Sequence, residues 1–321
     1  MTSWLITGGA GFIGSHFTRL ILNTYPDIQI VNVDKLTYAG RLENLHDVSH
    51  LPHYRFVHAD IADWAAMSAL FQTEKFHTVV HFAAESHVDN SIKDSRVFVQ
   101  TNVVGTHTLL EQARAHGVQK FIHVSTDEVY GQLRFGDPAF TEETPLQPNS
   151  PYSASKAGSD LLARAFYETY HFPVMITRCS NNYGPYQFPE KLIPVMVEKA
   201  LKNKPLPVYG TGQNVRDWLY VEDHCLAIDA VIRKGKHGEV YNIGGNNEIQ
   251  NIELVKHILF YLGKPESLIS YVTDRLGHDL RYAIDNSKIK RELGWEPRQT
   301  FEQGLEKTIA WYVEQCHKGD L

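Results

Sequence analysis

Leu5-Ile6-Thr7-Gly8-Gly9-Ala10-Gly11-Phe12-Ile13-Gly14 runs from an apolar stretch through a glycine-rich turn into the start of an amphipathic segment. Glycines at 8, 11 and 14 let the backbone turn tightly, approach a pyrophosphate and aim helix N-terminal N–H groups at its negative charge. Behind them Phe12, Ile13, Phe17, Leu20 and Ile21 form one apolar stripe at helical spacing. The next apolar run, Ile28 to Asp34, ends in an acid about 20 residues beyond the last glycine, where a carboxylate accepts hydrogen bonds from an adenosine ribose. An acid there repels a 2′-phosphate, so the turn predicts NAD rather than NADP. Further out, residues 4–7, 54–58, 78–82, 120–125 and 174–178 are short, near-continuous apolar runs, most of them separated by helical patterns. That texture belongs to parallel strands covered by helices on both faces. The fold class is therefore α/β, a Rossmann-type doubly wound parallel sheet.

At 321 residues the chain holds about two domains. Residues 1–178 read as a dinucleotide-binding domain, with a return segment near 215–243. Residues 179–321 read as mostly a smaller, discontinuous α/β substrate-binding domain, because Pro/Gly/Asn-rich loops at 180–194 and 204–214 break the earlier rhythm. With 43% hydrophobic and 21% charged residues, the composition excludes a disordered, collagenous or coiled-coil chain. A net charge of -6 with dispersed Lys and Arg offers no footprint for nucleic acid or an anionic membrane. The opening MTSWLITGG enters a strand at once, and no apolar run reaches the ~18 residues of a membrane span, so the expected location is the cytoplasm. Cys179, Cys225 and Cys316 are odd in number, far apart and outside any CxxC spacing, and read as reduced bystanders. The 17 histidines show no HExxH or comparable spacing, and no metal is assigned.

Tyr152-Ser153-Ala154-Ser155-Lys156 opens a helix read from Pro151 to about residue 170, with Ser150 as N-cap and Pro151 at the first helical position. Four-residue spacing puts the Tyr152 hydroxyl and Lys156 ammonium on one face. A tyrosine of pKa about 10 is only about 0.1% phenolate at pH 7, and lowering it by ~3 units takes roughly 4 kcal/mol. A neighbouring Lys cation and a nicotinium charge are the expected sources. The strand of residues 120–125 leads into Thr126-Asp127-Glu128, at the strand end where such sheets place their ligands. Adjacent carboxyls in a partly dry site repel, so one keeps its proton while the other ionises, which supplies an acid and a base together. Simple alcohol oxidation needs neither. The pair points to a step beyond hydride transfer, such as elimination of water.

These residues resemble the extended short-chain dehydrogenases, and among them the sugar-nucleotide 4,6-dehydratases. The resemblance covers nearly the whole chain: besides Gly8 to Gly14 it rests on LTYAGRLENL from Leu36, FAAESHVDNSI from Phe82, STDEVYG from Ser125, YSASKA from Tyr152, NNYGPYQFPEKLIP from Asn181, LPVYGTGQNVRDWLYVEDH from Leu206, YNIGG from Tyr241 and RLGHDLRYAID from Arg275. Leu276 and Asn90 depart from the family pattern, which more often has Pro and Arg there; neither is a presumed catalytic group. The resemblance implies a hydro-lyase that turns dTDP-glucose into dTDP-4-keto-6-deoxyglucose by oxidation at carbon 4, loss of water across carbons 5 and 6, and hydride return to carbon 6, with NAD tightly bound and recycled. It implies Tyr152 as base at the 4-hydroxyl, Lys156 on the ribose, Glu128 as base at carbon 5, Asp127 as acid for the 6-hydroxyl and Thr126 at the 4-oxygen.

For the cofactor, Phe12, Ile13, Lys35 and Thr37 join the glycines and Asp34, with Asp60 and Ile61 near adenine and Ala83, Ala84, Ser86 and Thr101 or Asn102 along the dinucleotide. For the sugar nucleotide it implies Ser86, Asn181, Glu190, Lys191 and Leu192, then Pro207, Tyr209, Arg216, Asn251, Arg275 and His278, the two arginines being fit donors to a diphosphate. A homodimer is implied, joined through the helix around residues 101–116 and the one starting at Pro151, in the route to activated 6-deoxysugars such as rhamnose. A UDP-sugar 4,6-dehydratase or UDP-glucose 4-epimerase stays open, as does, from another class, a non-catalytic NAD-binding regulator. Asp127-Glu128 speaks against the epimerase, while thymine against uracil rests on one methyl group, ~1–3 kcal/mol.

Overall fold

The structure, a computed structural model, describes residues 2–274 and 276–318. Its strands are β1 Thr2–Thr7, β2 Ile28–Asp34, β3 Tyr54–His58, β4 Thr78–His81, β5 Lys120–Thr126, β6 Val174–Cys179, β7 Asn181–Tyr183, β8 Leu206–Tyr209, β9 Val215–Tyr220, β10 Val240–Ile243, β11 Glu248–Gln250 and β12 Ile269–Val272. Seven of them form one parallel sheet in the order β3-β2-β1-β4-β5-β6-β10. The chain's direction of travel across the sheet reverses between β1 and β4, and the crevice beyond the strand ends at that reversal is where doubly wound sheets bind ligands.

Both faces are buried, as the apolar runs require. On one, Phe17 and Ile21 of the helix Phe12–Thr24 meet Ile228, Val231 and Ile232 of the helix Val221–Lys234. On the other, Met67, Leu109, Leu110 and Phe166 come from the helices Trp64–Thr73, Thr106–Ala115 and Pro151–Tyr170. Within the stretch 215–243, β10 joins the main sheet beside β6 and the helix Val221–Lys234 packs on it. By contrast, β9 pairs with β7 and β11 in a separate three-stranded sheet. That small sheet and the β8–β12 pair enclose a third apolar cluster around Tyr183, Met196, Trp218, Ile258 and Phe301. Among the described residues no helix is long and apolar enough to cross a membrane.

Two local devices fix the reaction end. The helix Pro151–Tyr170 starts where Ser150 and Ser153 cap each other, each hydroxyl accepting the other's backbone N–H, at 3.1 and 3.0 Å. This sets which face of the helix Tyr152 and Lys156 occupy. At the other end of the crevice, Gly8 adopts φ +73°, and a Cβ on Gly14 would stand 2.2 Å from the Gly8 carbonyl oxygen. The first helix lies directly on the turn that feeds it, an approach only glycine allows. We expect Gly14→Ala to lower stability by roughly 1–3 kcal/mol, the usual cost of overpacking, read as a shift of the urea midpoint. An unchanged midpoint would show that the turn relaxes freely.

Candidate active site

A cleft of about 1560 Å³, counted out to open solvent, lies at the β1/β4 reversal. Every residue expected to touch the cofactor lines it: Gly8, Gly11, Phe12, Ile13 and Gly14 at the helix start, Asp34, Lys35 and Thr37 after β2, Asp60 and Ile61 after β3, Ala83, Ala84 and Ser86 after β4, then Thr101, Tyr152 and Lys156. Gly11 is the N-cap of the first helix and brings no capping side chain, which leaves the first-turn N–H groups to meet a pyrophosphate. Asp34 Oδ2 accepts the Ala10 N–H at 3.0 Å and Oδ1 the Leu36 N–H at 2.8 Å, so the carboxylate is aimed before any ribose arrives. Burial raises its pKa, and those N–H bonds oppose the rise. Lys35 and Asp60 pair at 2.6 Å near the rim. This donor set fits an NAD-type dinucleotide.

Asn102 is placed differently. The helix expected over 101–116 begins as a π-helical turn, Val99–Gly105, which puts Thr101 on the cleft and turns Asn102 inward. There its side chain accepts the Glu85 N–H at 2.9 Å and donates to the Glu85 carbonyl at 3.0 Å and Ser155 Oγ at 2.8 Å. It ties the β4 loop to the Tyr152 helix instead of facing the dinucleotide.

At the reaction end, Thr126, Glu128, Tyr152 and Lys156 share one wall with Cys179 and Asn181. Asp127, between Thr126 and Glu128 in sequence, sits just behind it. β5 passes into the short 3-10 turn Asp127–Tyr130, so consecutive side chains diverge, and Asp127 is buried with Oδ2 unpartnered among the described residues. Burial, then Glu128 and Asp217, push its pKa well above the usual carboxylate range against the pull of Arg216. Of the two neighbouring carboxyls, Asp127 is thus the one whose surroundings favour the protonated form, beside a Glu128 that lines the cleft.

Tyr152 corrects an expectation. Burial first, then Glu128, Cys179 and Asp127, hold its phenol well above 10, while the hydrogen bond with Thr126 lowers it. Lys156 is not among its main influences: its Nζ donates to the Val124 carbonyl at 2.8 Å, and desolvation pulls its own pKa down to about 8. The protein groups alone do not make a phenolate here; a cationic ring bound in the cleft is the remaining source of the necessary charge.

Sequence reasoning passed over Tyr38 and Phe188, although both sit in stretches quoted for the resemblance. Tyr38 hydrogen-bonds Ser86 across the cleft and meets the Phe188 ring edge-on at 5.4 Å, and the Arg41 guanidinium lies 5.2 Å from the same ring. Loops after β2, β4 and β7 therefore meet over the dinucleotide channel.

A family model described as GDP-mannose 4,6 dehydratase matches residues 5–308. The dTDP-glucose 4,6-dehydratase of Xanthomonas campestris pv. campestris (strain B100) is 55% identical, covering 98% of this chain and 93% of that protein. The chain belongs to the dTDP-glucose 4,6-dehydratase family. Two solved members superpose on it: the Bacillus anthracis dTDP-glucose 4,6-dehydratase in complex with NAD, with TM-score 0.92, 52% identity and coverage of 99% and 98%, and the Streptomyces venezuelae dTDP-glucose 4,6-dehydratase with NAD and TYD bound, with TM-score 0.95, 51% identity and coverage of 99% and 98%.

Of the residues that a sugar-nucleotide dehydratase would turn to its substrate, Ser86, Thr126, Asn181, Glu190 and Lys191 line the cleft, and Leu192 opens the next helix. None of the other described ones is among the cleft's lining residues; Arg216 and Asn251 are linked to each other through Asn214 and Asp279. Arg216 is buried, its guanidinium 4.4 Å over the Tyr282 ring and donating to the Val215 and Asp279 carbonyls. The Asn251 N–H reaches the Asn214 carbonyl at 2.9 Å, while Tyr209, on β8 with Pro207, meets His278 edge-on at 6.2 Å. Arg275 lies outside the described residues.

The Lys156 shift has a sign that separates activity from stability. Turnover that needs its ammonium falls as pH rises through about 8. Its folded pKa lies below the unfolded value of 10.5, so between about 8 and 10.5 the unfolded chain binds the extra proton and stability rises. We expect rate–pH and melting curves to diverge there. Parallel loss of both would trace the inactivation to unfolding instead.

Proposed function

We propose that the chain is the hydro-lyase that converts dTDP-glucose into dTDP-4-keto-6-deoxyglucose. Membership of the family supports the substrate and reaction. The observation that carries the mechanism is the split between Asp127, buried and protonated, and Glu128, facing the cleft. Bound NAD supplies a hydride acceptor for carbon 4, a hydride donor for carbon 6 and a positive ring charge beside Tyr152. The glycine turn, Asp34 and Lys156 hold it.

Tyr152 removes the proton of the 4-hydroxyl as carbon 4 is oxidised, and Thr126 hydrogen-bonds the 4-oxygen. The resulting ketone acidifies the proton on carbon 5, which Glu128 takes. Asp127 gives its proton to the departing 6-hydroxyl, so water leaves and a carbon 5–carbon 6 double bond remains. Glu128 returns the proton to carbon 5 as carbon 6 is reduced. Asn181, Glu190 and Lys191 lie where the hexose and its phosphate would run. Leu192, Pro207, Tyr209, Arg216, Asn251, Arg275 and His278 serve the nucleotide. The loops closed by Tyr38 and Phe188 support a dinucleotide that stays bound between turnovers.

An epimerase needs Tyr152 and Lys156 but has no task for an acid and a base at carbons 5 and 6. We divide the chain into a cofactor part, 1–178 with a return narrowed from 215–243 to 221–243 because β9 belongs to the small sheet, and a sugar-nucleotide part. The third apolar cluster, largely separate from the two that cover the main sheet, supports this. We place the chain in the cytoplasm, which its free cysteines fit, and pair it as a homodimer. Val97, Val99, Val104 and Leu161, all exposed, present an apolar face along the two helices concerned.

Incubation with dTDP-glucose and UDP-glucose in parallel, followed by mass spectrometry, tests the reading: loss of one water from the thymidine sugar is expected, and an unchanged mass would overturn it. Deuterium placed at carbon 4 should reappear in the product's methyl group. Glu128→Gln should still oxidise carbon 4, seen as reduced-cofactor absorbance, while product formation drops by at least ~100-fold, the lower range for general acid–base catalysis. Undiminished turnover would remove Glu128 from its role.

A further inference from the structure

Below the cleft lies a charged group the reaction does not use. Asp160 stands one helical turn beyond Lys156 and is almost fully buried. Its Oδ2 accepts Arg178 Nε at 2.8 Å, and Oδ1 lies 3.2 Å from His123 Nε2. Arg178 comes from β6 and His123 from β5, strands paired in register so that Ser125 stands beside Arg178. On its far side the Arg178 guanidinium donates to Tyr130 Oη at 2.9 Å and lies 4.8 Å over that ring.

We propose that Asp160 is a positioning residue for the reaction, the counter-charge that keeps the Lys156 ammonium protonated in its dry site.

Lys156 lies within the influence of His81 on β4, His123 on β5 and Cys179 on β6, with Tyr152 one turn before it on its own helix and Arg178, next to Cys179, bound to the same Asp160. Burial pulls both histidines down, His123 to about 4, so each is neutral at working pH. Burial pushes the Cys179 thiol up, so it carries no charge. Tyr152 holds its proton until the reaction begins. Two cations, Lys156 and Arg178, then share one carboxylate, which the His123 bond and the Arg178 charge hold down at about 2. Asp160 is the leading group that raises Lys156 against desolvation. Without it two buried cations would have no partner. Arginine does not give up its proton in proteins, so lysine must.

This inference rests on the dehydratase reading, and its test separates the two. The rate–pH profile of kcat on dTDP-glucose is measured for the wild-type holoenzyme and Asp160→Asn, together with KM and NAD content. We expect the high-pH limb of the variant to fall below pH 7, at least about one unit under the wild type, so that kcat drops about fivefold or more at pH 8 and recovers to within about threefold at pH 6. KM and NAD content should stay near wild type. A loss equal at every pH would mean a purely structural role and overturn the proposal, as would an unmoved limb. If Asp160→Asn does not accumulate folded, because Arg178 is stranded, Asp160→Asn with Arg178→Met removes that cation and is judged by the same limb. A wild type with no turnover of dTDP-glucose would overturn the dehydratase reading itself.

Discussion

Backbone touches backbone where the first helix meets the turn before it, and the rest of the site is positioned from that contact. Gly14 rests on the Gly8 carbonyl with no room for a Cβ, and Gly8 itself comes equally close to Ala83 at the end of β4. The helix N-terminus, the β1 end and the β4 end are therefore locked together at the sheet's reversal. A helix end aims its N–H groups only as well as its axis is fixed. The glycines act here mainly as packing residues, and the anion site follows from the packing.

Desolvation is the second organising influence, acting with opposite signs on different groups. It pushes carboxyls and phenols toward their neutral forms and pulls lysine and histidine the same way. Asp127 and Tyr152 are held protonated, His81 and His123 are held neutral, and Lys156 is drawn to about 8. Only Asp160 among these buried groups is kept firmly ionised, and it has both an arginine and a histidine against it. The resting site is thus nearly charge-poor, which strengthens the effect of any charge a ligand brings into it.

Some of this was legible in the sequence because its signals are local. The glycine turn, Asp34 closing β2, and the Ser150-Pro151 start of the Tyr152 helix are all written within a few residues, and the structure places each accordingly. What was not legible depends on register or on a turn's handedness. His123, Asp160 and Arg178 are brought together only by the pairing of β5 with β6 under a helix. The π turn at Val99–Gly105, which turns Asn102 inward, has no compositional mark. Arg216 reads as a phosphate donor by residue type, but its place over the Tyr282 ring, donating to two carbonyls, follows only from how the segments around β9 come together. Side-chain chemistry can be read from residue type; side-chain direction cannot.

Direction also explains why two adjacent acids can do different work. Along a strand, neighbouring side chains already point to opposite faces, and the 3-10 turn that follows β5 keeps Asp127 and Glu128 apart while leaving their backbones adjacent. One carboxyl is buried behind the wall, where burial, Glu128 and Asp217 favour its protonated form; the other lines the wall. Had both faced the cleft, mutual repulsion would have left a single shared proton and no fixed assignment of acid and base. Elimination of water needs a proton given and a proton taken within one sugar ring. The turn after β5 supplies that polarity before any substrate arrives, and it is the feature that a fold otherwise suited to simple oxidation would have to acquire.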